Sequence, residues 1–331
     1  MNDNQIISIL AVATAVVIVI TLFMINPNTP NLPVIYIVYG SEKGDLSYTD
    51  CAYLGLFTAQ ESMPFIKQEF TSIDPDRFSG FLNGSGELKK PGFVITVGFQ
   101  YAGDTLHFSQ EHPETRFLAV DEAGIGSNNT KAYEVSSYGE SYLAGVLAAS
   151  ATKTKRVGII LGMPSRPLEG FRLGYEAGVR AADPSVVLEE EYIGNTVSSF
   201  SDPKKGVEIA DAMYRNGTDI IFTVAGYSGT GVIKAAKADS GRYVIGVDSD
   251  QTYLGPSVVI ASAVKRVDRI VYSGTNEYLE GRFSGGNVTG GLNEGVTGIV
   301  FNPKFEAYNA TINAWEKEAR QAEEWYLALQ K

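Results

Sequence analysis

The stretch "RYVIGVDSDQ", residues 242–251, is an apolar run that breaks off into Asp248, Asp250 and an amide. Two carboxylates so placed can pass protons, hold a hard cation, or accept hydrogen bonds from a neutral, hydroxyl-rich molecule. Acid–base catalysis needs a nucleophile, a base and an orienting group, and no such set stands out in the chain. A metal needs more carboxylates at ligand spacing than this segment offers. With two histidines and one cysteine, Cys51, metal and triad chemistry have little material, so no metal and no cofactor is expected. Recognition of hydroxyl groups by Asp248 is the reading that remains, with Asp250 as a cap for the turn. The loop "GSEKGDLSYTD" (40–50) supplies Asp45, Ser47 and Thr49 near a helix start, where capping backbone N–H groups is their simpler use. "GYSGTGVIKAA" (226–236) joins a strand to a helix, but its order is G-x-x-G-x-G rather than the dinucleotide fingerprint G-x-G-x-x-G. Gly226, Gly229 and Gly231 more simply let backbone approach a ligand. Phe171, Tyr175 and Val179 have the spacing of a core stripe, and Lys265 with Asp268 that of a surface helix pair.

These residues need elements to position them. Val34–Tyr39, Phe93–Val97, Arg116–Val120, Arg156–Leu161, Val186–Tyr192, Asp219–Val224 and Tyr243–Val247 are near-continuous Val/Ile/Phe runs, as parallel strands covered on both faces require. Helix-length segments alternate with them, among them Tyr48–Phe70, Glu140–Ala151, Pro167–Ala182 and Lys205–Arg215. The class is α/β, doubly wound. There is an internal echo: "ITVGFQYAG" (95–103) resembles "FTVAGYSG" (222–229), and each precedes a strand ending in aspartate, "RFLAVD" and "RYVIGVD". Val97 and Asp121 are as far apart as Val224 and Asp248, which predicts two lobes of like topology with an aspartate at a strand end of each. Asn302 caps a terminal amphipathic helix whose apolar stripe runs from Phe305 to Leu329.

At 331 residues the chain can bury a large core, and its net charge of -11 argues against nucleic acid or an anionic lipid surface as partner. Ile6–Ile25 is a 20-residue uncharged run, long enough to span a bilayer and lacking a cleavage signature, so an uncleaved membrane anchor is expected, followed by an Asn/Pro spacer. No basic residue precedes Lys43 to orient it. N-x-S/T triplets at Asn83, Asn128, Asn216, Asn287 and Asn309 lean towards an extracytoplasmic globule.

The set "GDLSYTDCAYLGL", "YGESYLAGVLAA", "VGIILGMPSRPLEGFRLGYEAGVRA", "VAGYSGTGVIKAAK", "YVIGVDSDQ" and "SAVKRVD", in this order, resembles the basic membrane protein family of ABC-transporter substrate-binding proteins, which includes the purine nucleoside receptors. The resemblance implies a type I periplasmic-binding fold with two lobes joined by a three-segment hinge and closing over a nucleoside. Residues 1–32 are then anchor and linker, 33–137 with 259–290 one lobe, and 138–258 with 291–331 the other with the terminal helix. The resemblance puts Asp45, Ser47 and Thr49 in the ligand loop and makes Tyr53 and Phe171 rings that clasp a base. It has Asp121 accept from base N–H groups, and Gly226, Asp248 and Lys265 hold the ribose. It implies no enzymatic activity and a monomer that works with a permease and an ATPase. The anchor replaces the lipid-bearing cysteine of the family. The other readings are a sensor ectodomain for another heteroaromatic ligand such as a flavin, and an α/β enzyme acting on nucleosides.

Overall fold

The computed structural model describes residues 32–71, 75–83 and 88–330. The expected anchor, Ile6–Ile25, lies outside them; among the described residues no helix is long and apolar enough to cross a membrane. Continuous apolar runs do become central parallel strands, because both faces of such a strand are covered by helices and neither tolerates polar alternation. In the first sheet these are β1 (Val34–Tyr39), β3 (Phe93–Val97) and β4 (Arg116–Val120), joined by β2 (Ile66–Thr71), β5 (Thr130–Val135) and β11 (Gly286–Gly290). The order is β11-β5-β4-β3-β1-β2, with every pair parallel. The second sheet holds β6 (Arg156–Leu161), β7 (Val187–Tyr192), β8 (Ile220–Val224), β9 (Tyr243–Asp248), β10 (Val259–Lys265) and β12 (Thr297–Phe301). Its order, β12-β10-β9-β8-β6-β7, repeats that of the first, except that β12 runs antiparallel to β10. The echo is thus a repeat of topology: β3 and β4 of one sheet correspond to β8 and β9 of the other.

The chain crosses between sheets after β5, after β10 and after β11. β10 pairs in parallel with β9, so the segment 259–265 belongs to the second sheet, and the crossing assigned to residue 259 falls at Arg266 instead. The expected helix Tyr48–Phe70 is also shorter. Helix α1 (Tyr48–Ser62) ends, and residues 66–71 form the edge strand β2, half-buried along its whole length.

Helices fill both faces: α2 (Pro75–Leu82) and α3 (Ala102–Glu111) in the first lobe, then α4 (Tyr138–Ala151), α5 (Arg166–Ala182), α6 (Pro203–Arg215) and α7 (Gly229–Lys237) in the second. The motifs around Gly145, Gly174 and Gly178 are explained by the α4–α5 contact. A Cβ at Gly174 or Gly178 would strike the carbonyl of Tyr138 or Tyr142, and one at Gly145 that of Tyr175, so only glycine lets the two backbones approach this closely. α8 (Val267–Leu279) follows the second crossing and shares a core with α1 through Val267, Ile270 and Val271 against Ala52 and Leu56. α9 (Asn309–Leu329) lays Ile312 and Ala319 on the core of the second lobe. Asn302 caps as expected, accepting from the amide of Lys304, though the first turns, Pro303–Tyr308, are 3-10.

Candidate functional site

Both sheets end their parallel strands at one cavity of ≈ 90 Å³. This is where open α/β sheets place ligand sites, because strand-end loops converge there while the sheet itself stays rigid. Asp121 follows β4 and Asp248 ends β9. Each has left-handed backbone, φ 66° and 62°, uncommon for a residue other than glycine. The repeat therefore extends to backbone conformation: at both strand ends the chain turns sharply and aims a carboxylate into the cavity. Gly226, after β8, has φ 55° and brings bare backbone to the same wall, packed against Phe200.

Of the nine residues singled out in the sequence, six line the cavity: Asp45, Asp121, Phe171, Gly226, Asp248 and Lys265. Lys265, at the end of β10, is 3 % exposed and donates to Asp121 across the lobes at 2.6 Å. Its ammonium lies 5.5 Å from the ring centroid of Tyr48 and 5.4 Å from that of Phe171, within cation–π range of both. Burial works against its charge, but the carboxylates of Asp121 and Asp248 outweigh burial and hold its pKa above the usual lysine range. The surface pair Lys265–Asp268 does not form. Asp268 instead takes a two-pronged bond from Arg266 at 2.6 and 2.9 Å, because the crossing at Arg266 points successive side chains into different environments.

Asp248 is buried, and its carboxyl is pushed up to about 6 mainly by desolvation. Lys265 and a 2.6 Å bond from the Ser47 hydroxyl pull the other way, while Asp45 and Asp121 add to the rise. Asp250 accepts from the amide of Thr252, so it caps the turn. Asp45 is a cap as well as a wall. Its two oxygens accept from the amides of Ser47, Thr49 and Asp50, satisfying N–H groups that the first turn of α1 leaves without partners.

The other three stand elsewhere. Ser47 sits behind Asp248 and fixes it, and Thr49 shares a 2.6 Å hydroxyl bond with Ser41, itself a wall residue. Tyr53 does not reach the cavity. Its ring packs near Phe57 and beneath the ammonium groups of Lys43 and Lys67. The ring that α1 does present is Tyr48, five positions earlier and about 140° around the helix. Burial, followed by the charges of Asp121, Asp248 and Glu122, keeps its phenol well above the usual range. Phe99, Gln100, Phe200 and Tyr227 were also missed. The signal for Phe99 and Tyr227 was the echo itself, since each follows a strand that the repeat had paired.

Further contacts bind the lobes at this end. The Ser249 hydroxyl and the Gln251 amide both donate to the carbonyl of Leu46 at 3.0 Å. Leu46 has φ 55°, which turns that carbonyl outward.

The arrangement suits capture: a buried cation lies between two carboxylates among aromatic walls. Comparison with known proteins agrees. The chain matches the Bmp family, described as ABC transporter substrate-binding protein PnrA-like, over residues 33–325. It is 32% identical over 285 residues to Basic membrane protein A1 of Borrelia garinii subsp. bavariensis, covering 82% of this chain and 81% of that protein. It is 32% identical over 237 residues to the ABC transporter nucleoside-binding protein BmpA of Lactococcus lactis subsp. cremoris, covering 66% of each. Among solved structures, an ABC transporter solute-binding protein from Aeropyrum pernix K1 superposes with a TM-score of 0.74 at 26% identity, over 90% of this chain and 86% of that one. The family description and the Lactococcus and Aeropyrum names are those of binding proteins, not enzymes, and with two similar lobes meeting at one cavity the chain belongs to the Bmp family of ABC transporter substrate-binding proteins.

Proposed function

We propose that the cavity binds a nucleoside and that the protein delivers it to an ABC importer. The observation that carries this reading is the buried trio Asp121, Lys265 and Asp248, set between the rings of Tyr48 and Phe171. A nucleoside offers a flat face for rings, an edge of donors and acceptors, and a diol. Asp248, held by Ser47, accepts from two sugar hydroxyls while Lys265 donates. Asp121 accepts from base N–H groups, and Tyr48 takes the place expected of Tyr53 opposite Phe171. The name of the Lactococcus relative supports the same ligand class. A cavity of ≈ 90 Å³ has room for roughly half a dozen waters, less than a nucleoside, so entry requires the lobes to part and the Lys265–Asp121 pair to separate. The three crossing segments are the natural hinge. Ile6–Ile25 anchors the monomer at the membrane, with the globule on the outer side beside its permease and the ATPase on the opposite face.

Thermal melting of the purified chain with inosine, adenosine, uridine, riboflavin and glucose tests the proposal. A true ligand at 100 times its Kd adds about 2.7 kcal/mol of stability. At least one nucleoside raises Tm on this basis and is recovered unchanged. A shift with riboflavin or glucose alone, or conversion of the nucleoside to product, would overturn it.

A further inference from the structure

Beside the main cavity lies a second one of ≈ 290 Å³, which shares the walls Phe99, Asp121 and Pro167 with it. It is walled by the start of α5 and by Tyr326 on α9, and opens to solvent beside Arg166 and Gln330. Three polar atoms in its lining have no hydrogen bond: Oε1 of Glu122 and the hydroxyls of Ser136 and Ser137. Glu122 is 6 % exposed and its Oε1 has no hydrogen bond; Ser137, 2 % exposed, has an unpaired hydroxyl. Unpaired polar atoms at this depth cost free energy unless a ligand or water meets them.

The charges in the lining decide what kind of ligand that is. Asp121, Glu122 and Glu134 face the cavity, with Arg166 as the cation among its walls. Arg166 is already bonded to Glu134 at 3.3 Å, and Asp121 to Lys265. An anion would meet a surplus of carboxylates. A metal ion would find one free carboxylate, and among the described residues no group of three or more ligand-type side chains gathers anywhere. A group with several N–H donors and a positive charge satisfies the Glu122 and Ser137 acceptors at once. We propose that this second cavity binds a primary ammonium group, with Glu122 as counter-ion and Ser137 as second acceptor. The ammonium belongs either to a free small amine or to a substituent on the molecule in the main cavity.

The site has a proton signature. Burial, then the charge of Asp121, pushes the Glu122 carboxyl up to about 8, against the pull of the Ala102 amide and Arg166. The groups facing it are Asp121 beside it, Glu134 from β5, Arg166 from α5 and Tyr326 from α9. At pH 7 the carboxyl is mostly protonated, so an arriving ammonium drives off close to one proton. At pH 9 it drives off almost none.

Calorimetric titration of the full chain with methylammonium, ethanolamine and putrescine, in two buffers of different ionisation enthalpy, reads both affinity and proton release. At least one of these amines binds at pH 7 with proton release that fades by pH 9. Glu122→Gln weakens it by roughly 10- to 100-fold and abolishes the release, with an unchanged melting curve as the control for folding. Ser137→Ala weakens it by a smaller factor while release persists, which keeps the test decisive should the Glu122→Gln variant misfold. Saturating inosine leaves methylammonium binding intact if the amine is a separate ligand. If inosine blocks it, 5′-amino-5′-deoxyinosine outbinds inosine in the wild type but not in Glu122→Gln. Failure of all three amines to bind, binding without proton release, or full affinity in Glu122→Gln marks the cavity as filled by water alone. A protein that takes amines but no nucleoside would refute the proposed function and leave this site standing.

Discussion

Replacing Asp248 with asparagine separates what this residue does for binding from what it does to stability. Asparagine keeps the shape, can still accept from the Ser47 hydroxyl, and tolerates the left-handed backbone at φ 62°, whereas alanine would add strain. In the folded protein the Asp248 carboxyl is raised from 3.8 to about 6. The charged form is therefore disfavoured relative to the unfolded chain, by about 3 kcal/mol at most. The sign follows from proton counts. Between pH 3.8 and 6 the folded chain holds the proton more tightly than the unfolded one, so stability from this group rises as pH falls through 6 and the full penalty is present above it. Asp248→Asn removes an ionisable group that burial penalises, so at pH 8 the variant melts higher than the wild type. With about 2–4 °C per kcal/mol for a chain of this size, the ceiling is roughly 10 °C. The difference narrows as pH falls through 6, to about half at pH 5, and vanishes only below the unfolded value of 3.8. Paired melting curves from pH 4.5 to 8.5, with parallel nucleoside titrations, measure both effects. Nucleoside affinity falls at least tenfold in the variant because an amide accepts less strongly from a diol than a carboxylate does. A variant less stable than the wild type at pH 8, or a gap that does not change with pH, would show that the ionised carboxylate contributes net stability, contrary to the burial argument.

Other substitutions have distinct expected outcomes. Tyr53→Ala leaves nucleoside affinity within about twofold, whereas Tyr48→Ala lowers it, since only Tyr48 stands in the cavity wall; a titration that ranks them the other way refutes the assignment. Lys265→Met leaves Asp121 and Asp248 without their shared cation and costs about 3–5 kcal/mol at pH 8 in urea unfolding, less at pH 5 as Asp248 protonates. Gly178→Ala forces a methyl group against the Tyr142 carbonyl and costs about 1–3 kcal/mol by the same assay, without changing relative affinities among ligands.

Sequence alone determined the parts whose physics is local or one-dimensional. A strand covered on both faces must be apolar without alternation, so β1, β3, β4, β6, β8 and β9 could be read within a residue, and with them the α/β class. The equal spacing of Val97–Asp121 and Val224–Asp248 showed the repeat, and it persists down to the left-handed turn at each aspartate. The edge strand β7 was also read within a residue, but other edge strands carry no such mark. β2 (IKQEFT) is half-buried throughout and merges by composition with the helix before it, and β11 (GNVTG) owes its place to pairing with β5. Tertiary structure alone decided which face of α1 looks inward, because packing against α8 fixes the rotation, presenting Tyr48 to the cavity and leaving Tyr53 outside. It also chose the partner of Lys265. Asp268 is three residues away along the chain, but Asp121, 144 residues away, is the one a buried ammonium meets when the crossing strand brings the two lobes together.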